Sequence, residues 1–194
     1  MLESNRPGVA AEEAQRILDH AGLGWALRTS ACVVRLRALL RDGHVDSATA
    51  AAEDWCSSDV PLPSKLVLLD SVACEILYCE RRELLPAAES WARKALALCP
   101  TELSIKGSLG SILVELGRHD EAESLLRETY EQSSAPHDQR ICAFYPALIA
   151  KGRNQTDLAH RLATEAKEAL DQQWLIARVE QEFPDISGSR NQKN

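Results

Sequence analysis

The sequence predicts an all-α protein, a stack of antiparallel helical hairpins with a capping helix at each end. Three observations carry that expectation. Small residues recur at a long period along the chain, turn-forming and helix-stopping residues fall between the apolar runs, and no segment alternates apolar and polar residues long enough for a strand. The composition agrees: 45% of the 194 residues are hydrophobic but only 5% aromatic, so Ala and Leu carry the core and favour close helix packing.

The elements follow in order. Residues 1–8 read as a flexible amino terminus, and residues 9–22 as a first helix with Ala14, Ile17, Leu18 and Ala21 on one stripe. A hairpin over about 25–60 is marked by Leu36, Leu39, Ala48, Ala52 and Trp55 with Gly43 at its turn, and Cys56 to Pro63 has loop composition. The next, 64–100, has the small stripe Ala88, Ala92, Ala95, with Pro86 in a first helical turn and Pro100 behind the last. The third, 101–136, has Leu109, Gly110 and Leu113, a turn at Gly117, then Ala122 and Leu126. In the fourth, 137–171, Gly152 is the expected turn and Ala159, Ala163 and Ala166 the small stripe. A last helix over 172–183 sets Leu175, Val179 and Phe183 on one face, and 185–194 reads as a disordered tail. Asp46 and Asp120 stand near helix starts, where a carboxylate suits free amides and the positive end of the dipole. Residues 9–184 together read as a single domain.

The period can be counted. Ala88-Glu89-Ser90 returns as Ala122-Glu123-Ser124, and 122 − 88 = 34. Towards the ends the spacing loosens, with 88 − 48 = 40 and 159 − 122 = 37, as terminal repeats with one unpartnered face allow. On these residues the chain resembles the tetratricopeptide repeat family, whose 34-residue unit sets a small Ala early in its second helix. Leu109-Gly110 with Leu113 looks like the family's first-helix signature, Gly117 its turn, and Ala122 with Leu126 its second helix. Ala88, Ala92, Ala95 and Pro100 look like the second helix of the preceding unit, and the resemblance spans roughly residues 25–170.

That resemblance implies a short right-handed solenoid whose first helices line a concave groove for an extended or helical peptide. Carried over by alignment, the groove is Ser30, Val33, Arg37 and Leu40, then Asp70, Ala73, Leu77 and Glu80, then Ser104, Gly107, Ser111 and Val114. Within these rows only Arg37 offers positive charge, while Asp70 and Glu80 would repel a carboxylate, which argues against a clamp for acidic carboxyl tails. Leu40, Leu77 and Val114 suit an apolar segment, either a partner's or the chain's own terminal helix.

Other chemistries are argued down. The net charge, 22 − 29 = −7, disfavours nucleic acid and anionic lipid surfaces. Arg35, Arg37 and Arg41 read as a solvated helix face, and Glu75 with Glu80 as solvated or groove-lining charge. No apolar run is long enough for a membrane span and no hydrophobic signal core opens the chain, so a cytoplasmic location is expected. Cys32, Cys56, Cys74, Cys79, Cys99 and Cys142 lack the paired spacing of a zinc or redox motif. They read as small apolar residues in a reducing compartment. Gly107-Ser108-Leu109-Gly110-Ser111 reads as close helix packing and not as an RNA-clamping loop. His20, His44, His119, His137 and His160 fall mainly at turns and helix ends.

With no nucleophile beside a base, no phosphate loop and no metal set, the expectation is no enzyme, no catalytic residue, no cofactor and no metal. The expected function is a protein-interaction module, adaptor or scaffold that binds a protein or peptide. A secretion-type chaperone, or a regulatory domain cut from a larger enzyme or membrane protein, is the alternative, and a homodimer through the terminal helix a further option.

Overall fold

The computed structural model describes residues 7–57, 59–78, 81–169 and 173–186. Among them every regular element is helical: α1 (Pro7–Leu18), α2 (Trp25–Arg41), α3 (Val45–Ser57), α4 (Leu62–Tyr78), α5 (Leu85–Leu98), α6 (Leu103–Glu115), α7 (His119–Gln132), α8 (Pro136–Gly152), α9 (Thr156–Ala169) and α10 (Gln173–Glu182). Short 3₁₀ turns cover Arg82–Leu84 and Pro184–Ile186. No described helix is long and apolar enough to cross a membrane.

The chain divides into two compact units, Met1–Pro100 and Thr101–Asn194, where the sequence reads one domain. In the first, α1 packs along α2, α2 meets α3 and α4, and α4 pairs with α5 around Leu36, Leu68, Ile76, Trp91 and the small Ala88 and Ala92. In the second, α6 pairs with α7 and α8 with α9, while α8 also packs on α6 and α7 around Ile105, Leu109, Ile112, Leu126 and Phe144. Burying each such large side chain contributes roughly 1.5–3 kcal/mol.

Three of the hairpins turn in the same way. Gly43, Gly117 and Asn154 have φ of 83°, 76° and 59°, the left-handed region that Gly enters freely and Asn tolerates. Around Gly43 the His44 amide donates to the Leu39 carbonyl and Gly43 to Leu40; around Gly117, Arg118 donates to Leu113 and Gly117 to Val114; around Asn154, Gln155 donates to Ala150 and Asn154 to Lys151. This is the Schellman arrangement, which satisfies the last carbonyls of the first helix. Five residues after each left-handed residue comes a fully buried alanine, Ala48, Ala122 or Ala159. Its small side chain lets the second helix lie close against the first.

The turn role expected of Gly152 therefore belongs to Asn154. Gly152 closes α8 instead, where a Cβ would run into the His119 ring. Gly110 is needed for a like reason, since its Cβ would stand 2.8 Å from Leu126 Cγ where α6 and α7 approach. The α4–α5 connection is different: it uses the 3₁₀ turn Arg82–Leu84, with Pro86 in the first turn of α5, where a missing amide costs nothing.

Several expected boundaries move. The first helix is 7–18 and not 9–22, and Pro7 and Gly8 belong to it and not to a flexible terminus. Helix α3 runs through Ser57 and α4 begins at Leu62, so the loop expected over 56–63 shortens. Residues 1–6 and 187–194, which hold the rest of the expected terminus and tail, lie outside the described residues, as do Cys79 and Glu80. Asp185 and Ile186, expected to begin the tail, form part of the last 3₁₀ turn, with Ile186 buried.

Candidate functional site

The groove rows read from the sequence fall mostly in the core. Val33 and Leu40 of α2, Ala73 of α4, and Gly107, Ser111 and Val114 of α6 are buried; Arg37, Asp70, Leu77 and Ser104 are half-buried, and Ser30 is exposed. On α2 the stripe open to solvent is Leu27, Ser30, Val34 and Arg41 with the half-open Arg37, one residue beyond the expected row at two positions. A one-residue error turns a side chain by about 100° around a helix, enough to exchange core for surface. On α6 the row is covered by its own neighbours, since a Cβ on Gly107 would meet Thr129 Cγ2 at 3.1 Å and Cys142 Sγ at 3.3 Å.

Of the charges expected to be solvated, Arg41 is exposed and Arg35 and Arg37 half-buried, but Glu75 turns inward. Glu75 of α4 is 1% exposed, with Arg37 Nε 3.1 Å from one carboxylate oxygen and Arg41 Nε 2.6 Å from the other. Glu75 is therefore neither solvated nor groove-lining, while Arg37, half-buried, is tied to it and shares it with Arg41. The pairing joins α2 to α4, and the two guanidiniums offset the desolvation of the carboxylate.

The apolar stripe of the terminal helix is likewise buried within the second unit. Leu175, Val179 and Phe183 are buried, and Phe183 stacks edge-on against His160 with ring centres 5.8 Å apart. Around them Arg178 reaches Glu115 at 3.0 Å and Lys151 reaches Glu182 at 2.7 Å.

An apolar concavity of the second unit lies elsewhere, on the second helices. A cleft of about 450 Å³ opens between α7 and α9, with α8 as its floor. On α7 its wall is Glu123, Leu126, Arg127 and Tyr130; on α9 it is Leu158, Leu162, Glu165 and Ala166. The floor is Cys142, Ala143, Pro146, Ile149 and Ala150. All three sets recur at three- or four-residue intervals, so each helix turns one continuous stripe into the cleft. Ala143, Pro146 and Ala150 are too small to fill the space between helices that both rest on α8.

Pro146 sits inside α8 and has no amide to donate to the Cys142 carbonyl four residues back. The helical ladder is therefore interrupted at the floor of the cleft. Tyr130 is 53% exposed, an aromatic surface left open beside the half-buried Leu158 and Leu162.

The rim is charged. Arg153 lies 2.7 Å from Asp120 and 3.1 Å from Glu123, and hydrogen bonds to those carboxylates, Asp120 first, push its pKa up. Glu123 thus shares Arg153 with Asp120. Arg127 and Glu165 are exposed and have no ion-pair partner among the described residues. Burial, with the charge of Asp138 adding to it, pushes the Cys142 thiol up to about 12. Cys142 is thus protonated at neutral pH and serves as a small packing residue, not as a nucleophile.

The cleft was missed in the sequence because the family resemblance directed attention to the first helices. The signals were present: a proline inside a helical run, flanked by small residues, and Leu158, Leu162 and Tyr130 beyond what the hairpin core needs. Comparison with family models, with curated proteins and with solved structures finds no match to this chain. Fold and cleft together define an all-helical protein of paired helices with an apolar, charge-rimmed cleft.

Proposed function

We propose that this protein is a helical-repeat interaction module of the tetratricopeptide kind, a short right-handed solenoid that acts as an adaptor by holding a polypeptide segment, and that the α7–α9 cleft is where the segment is held. The observation that carries the reading is the cleft itself, an apolar concavity with an open aromatic at its edge in a chain whose other large side chains mostly pack inward. Removing its lining from water contributes about 25 cal/mol per Å² of apolar surface. The three matching Schellman turns, each followed by a buried alanine, support the repeat. Free cysteines, three of the five described ones buried, suit the reducing setting of a cytoplasmic protein.

The test is selection of a displayed random-peptide library on the full chain, with calorimetric titration of the enriched peptides. A family of peptides binding with micromolar dissociation constants is the expected result. Absence of any enriched peptide that saturates below about 100 μM, roughly 5.5 kcal/mol of binding free energy, overturns the reading.

A further inference from the structure

We infer that the α7–α9 cleft takes a two-turn amphipathic helix whose apolar stripe is flanked by acid on one side and base on the other. The inference rests on the reading of the chain as a polypeptide-binding module, and adds the conformation and charge pattern of what it binds.

Shape argues for a helix. The cleft walls are Glu123, Arg127 and Tyr130 on α7 and Leu158, Leu162 and Glu165 on α9, stripes that each span seven residue steps. Seven residues of helix rise about 10 Å, so the cleft follows the helix axes for about two turns. A partner helix with apolar residues at i, i+4 and i+7 covers the same length. An extended segment gains most from main-chain pairing, and the walls are helices whose amides are already bonded along the ladder. The volume of about 450 Å³ lies within the range of pockets that enclose ligand groups.

Charge argues for the flanks. Arg127 lies ten residues after the left-handed Gly117, and Glu165 eleven after the left-handed Asn154. Both line the cleft, a similar distance past their turns, so the α7 wall carries a cation and the α9 wall an anion beside an apolar floor. Neither is paired among the described residues, whereas Glu123 beside them is held by Arg153. A helix lying between them meets opposite signs on its two sides. One acidic and one basic flank complement both, and set which way the helix runs; two like flanks always leave one side repelled.

The experiment uses the full chain and three fluorescein-labelled, lactam-locked helical peptides of about 14 residues with Leu at i, i+4 and i+7. One carries Glu along one flank and Lys along the other, one carries Glu on both, and one Lys on both. The mixed peptide is expected to bind at least about tenfold more tightly than either other, a difference of about 1.4 kcal/mol. Arg127→Glu should transfer the preference to the peptide with two basic flanks, and Glu165→Arg to the peptide with two acidic flanks. Ala143→Trp, which fills the floor, should weaken all three, with the milder Tyr130→Ala as a second variant if the larger one fails to fold. Preference unmoved by both reversals, or binding indifferent to the filled floor, overturns the inference while peptide binding by the chain stands. Binding of cis-parinaric acid that Ala143→Trp abolishes, with no peptide bound, would make the cleft a site for small amphiphiles and overturn it as well. Failure of these peptides together with failure of the library selection removes the wider reading too.

Discussion

The first-helix pairs of the two units meet by different means. In the first unit α2 and α4 are joined through a buried carboxylate held by two guanidiniums, Glu75 with Arg37 and Arg41. In the second, α6 and α8 approach through Gly107, beside Cys142. The first contact sets a buried, paired carboxylate within an apolar core; the second relies on the missing side chain of Gly107. The surfaces of the two units differ as well. The second unit leaves its apolar opening between α7 and α9, whereas the first shows exposed apolar residues on the first helices, Leu27 and Val34 on α2 and Val67 on α4.

The sharpest way to break that contrast is to remove both guanidiniums. Arg37→Ala with Arg41→Ala should strip both guanidiniums from the buried Glu75 carboxylate, and cost about 3–5 kcal/mol in urea unfolding, most of it recovered when Glu75→Gln is added. A loss near zero would mean that water reaches Glu75 and that α2 and α4 do not depend on the pairing. No matching dependence on ionic groups is expected where α6 meets α8.

Next in size are the alanines that both units share. Ala48→Leu and Ala122→Leu should each overpack a hairpin and cost about 1–3 kcal/mol. Thermal melts showing the loss for only one of the two would mean that the matching turns hide different packing.

The turns themselves should contribute less. Gly43→Ala and Gly117→Ala place a Cβ in open space but at positive φ, for about 1–2 kcal/mol each. Asn154→Ala should behave likewise and Asn154→Gly should be close to neutral. If Asn154→Ala is silent, the third turn relaxes in a way the two glycine turns cannot.

The smallest effect separates the cysteines by pH. The Cys142 thiol is raised to about 12 and Cys32 to about 11, both chiefly by burial. Above the ordinary thiol value near 8.5 the unfolded chain loses these protons while the folded chain keeps them. Their contribution is therefore fully present below about pH 8.5 and lost as pH rises towards 11 for Cys32 and 12 for Cys142. Stability followed between pH 8 and 10 should fall less steeply in Cys142→Ala than in the parent chain; an identical slope would mean that the thiol is reached by solvent.

What was legible in the sequence was local. An all-helical chain follows from apolar periodicity and from the absence of alternation, and the turns at Gly43 and Gly117 follow from a backbone conformation that glycine adopts without strain. The burial of Ala48, Ala88, Ala122 and Ala159 could also be read, because a small residue repeated at a long period has few uses other than close helix contact. Each of these inferences needs only residues within a few turns of one another.

Tertiary structure decided whatever depends on phase or on partners far along the chain. Which side of α2 is open turns on a single step around the helix, and that step is set by how α1, α3 and α4 surround it. Glu75 is buried because two arginines from another helix reach it, and Gly152 is a contact point because His119 stands against it. The cleft exists because α7 and α9 both rest on α8 where its side chains are small, a volume that no one segment encodes. The terminal stripe of Leu175, Val179 and Phe183 was plain as a pattern, yet its burial within the second unit comes from packing and from ion pairs such as Arg178 with Glu115. Periodicity assigns a side chain to a face, but only the assembled neighbours determine whether that face meets water, protein or a cleft.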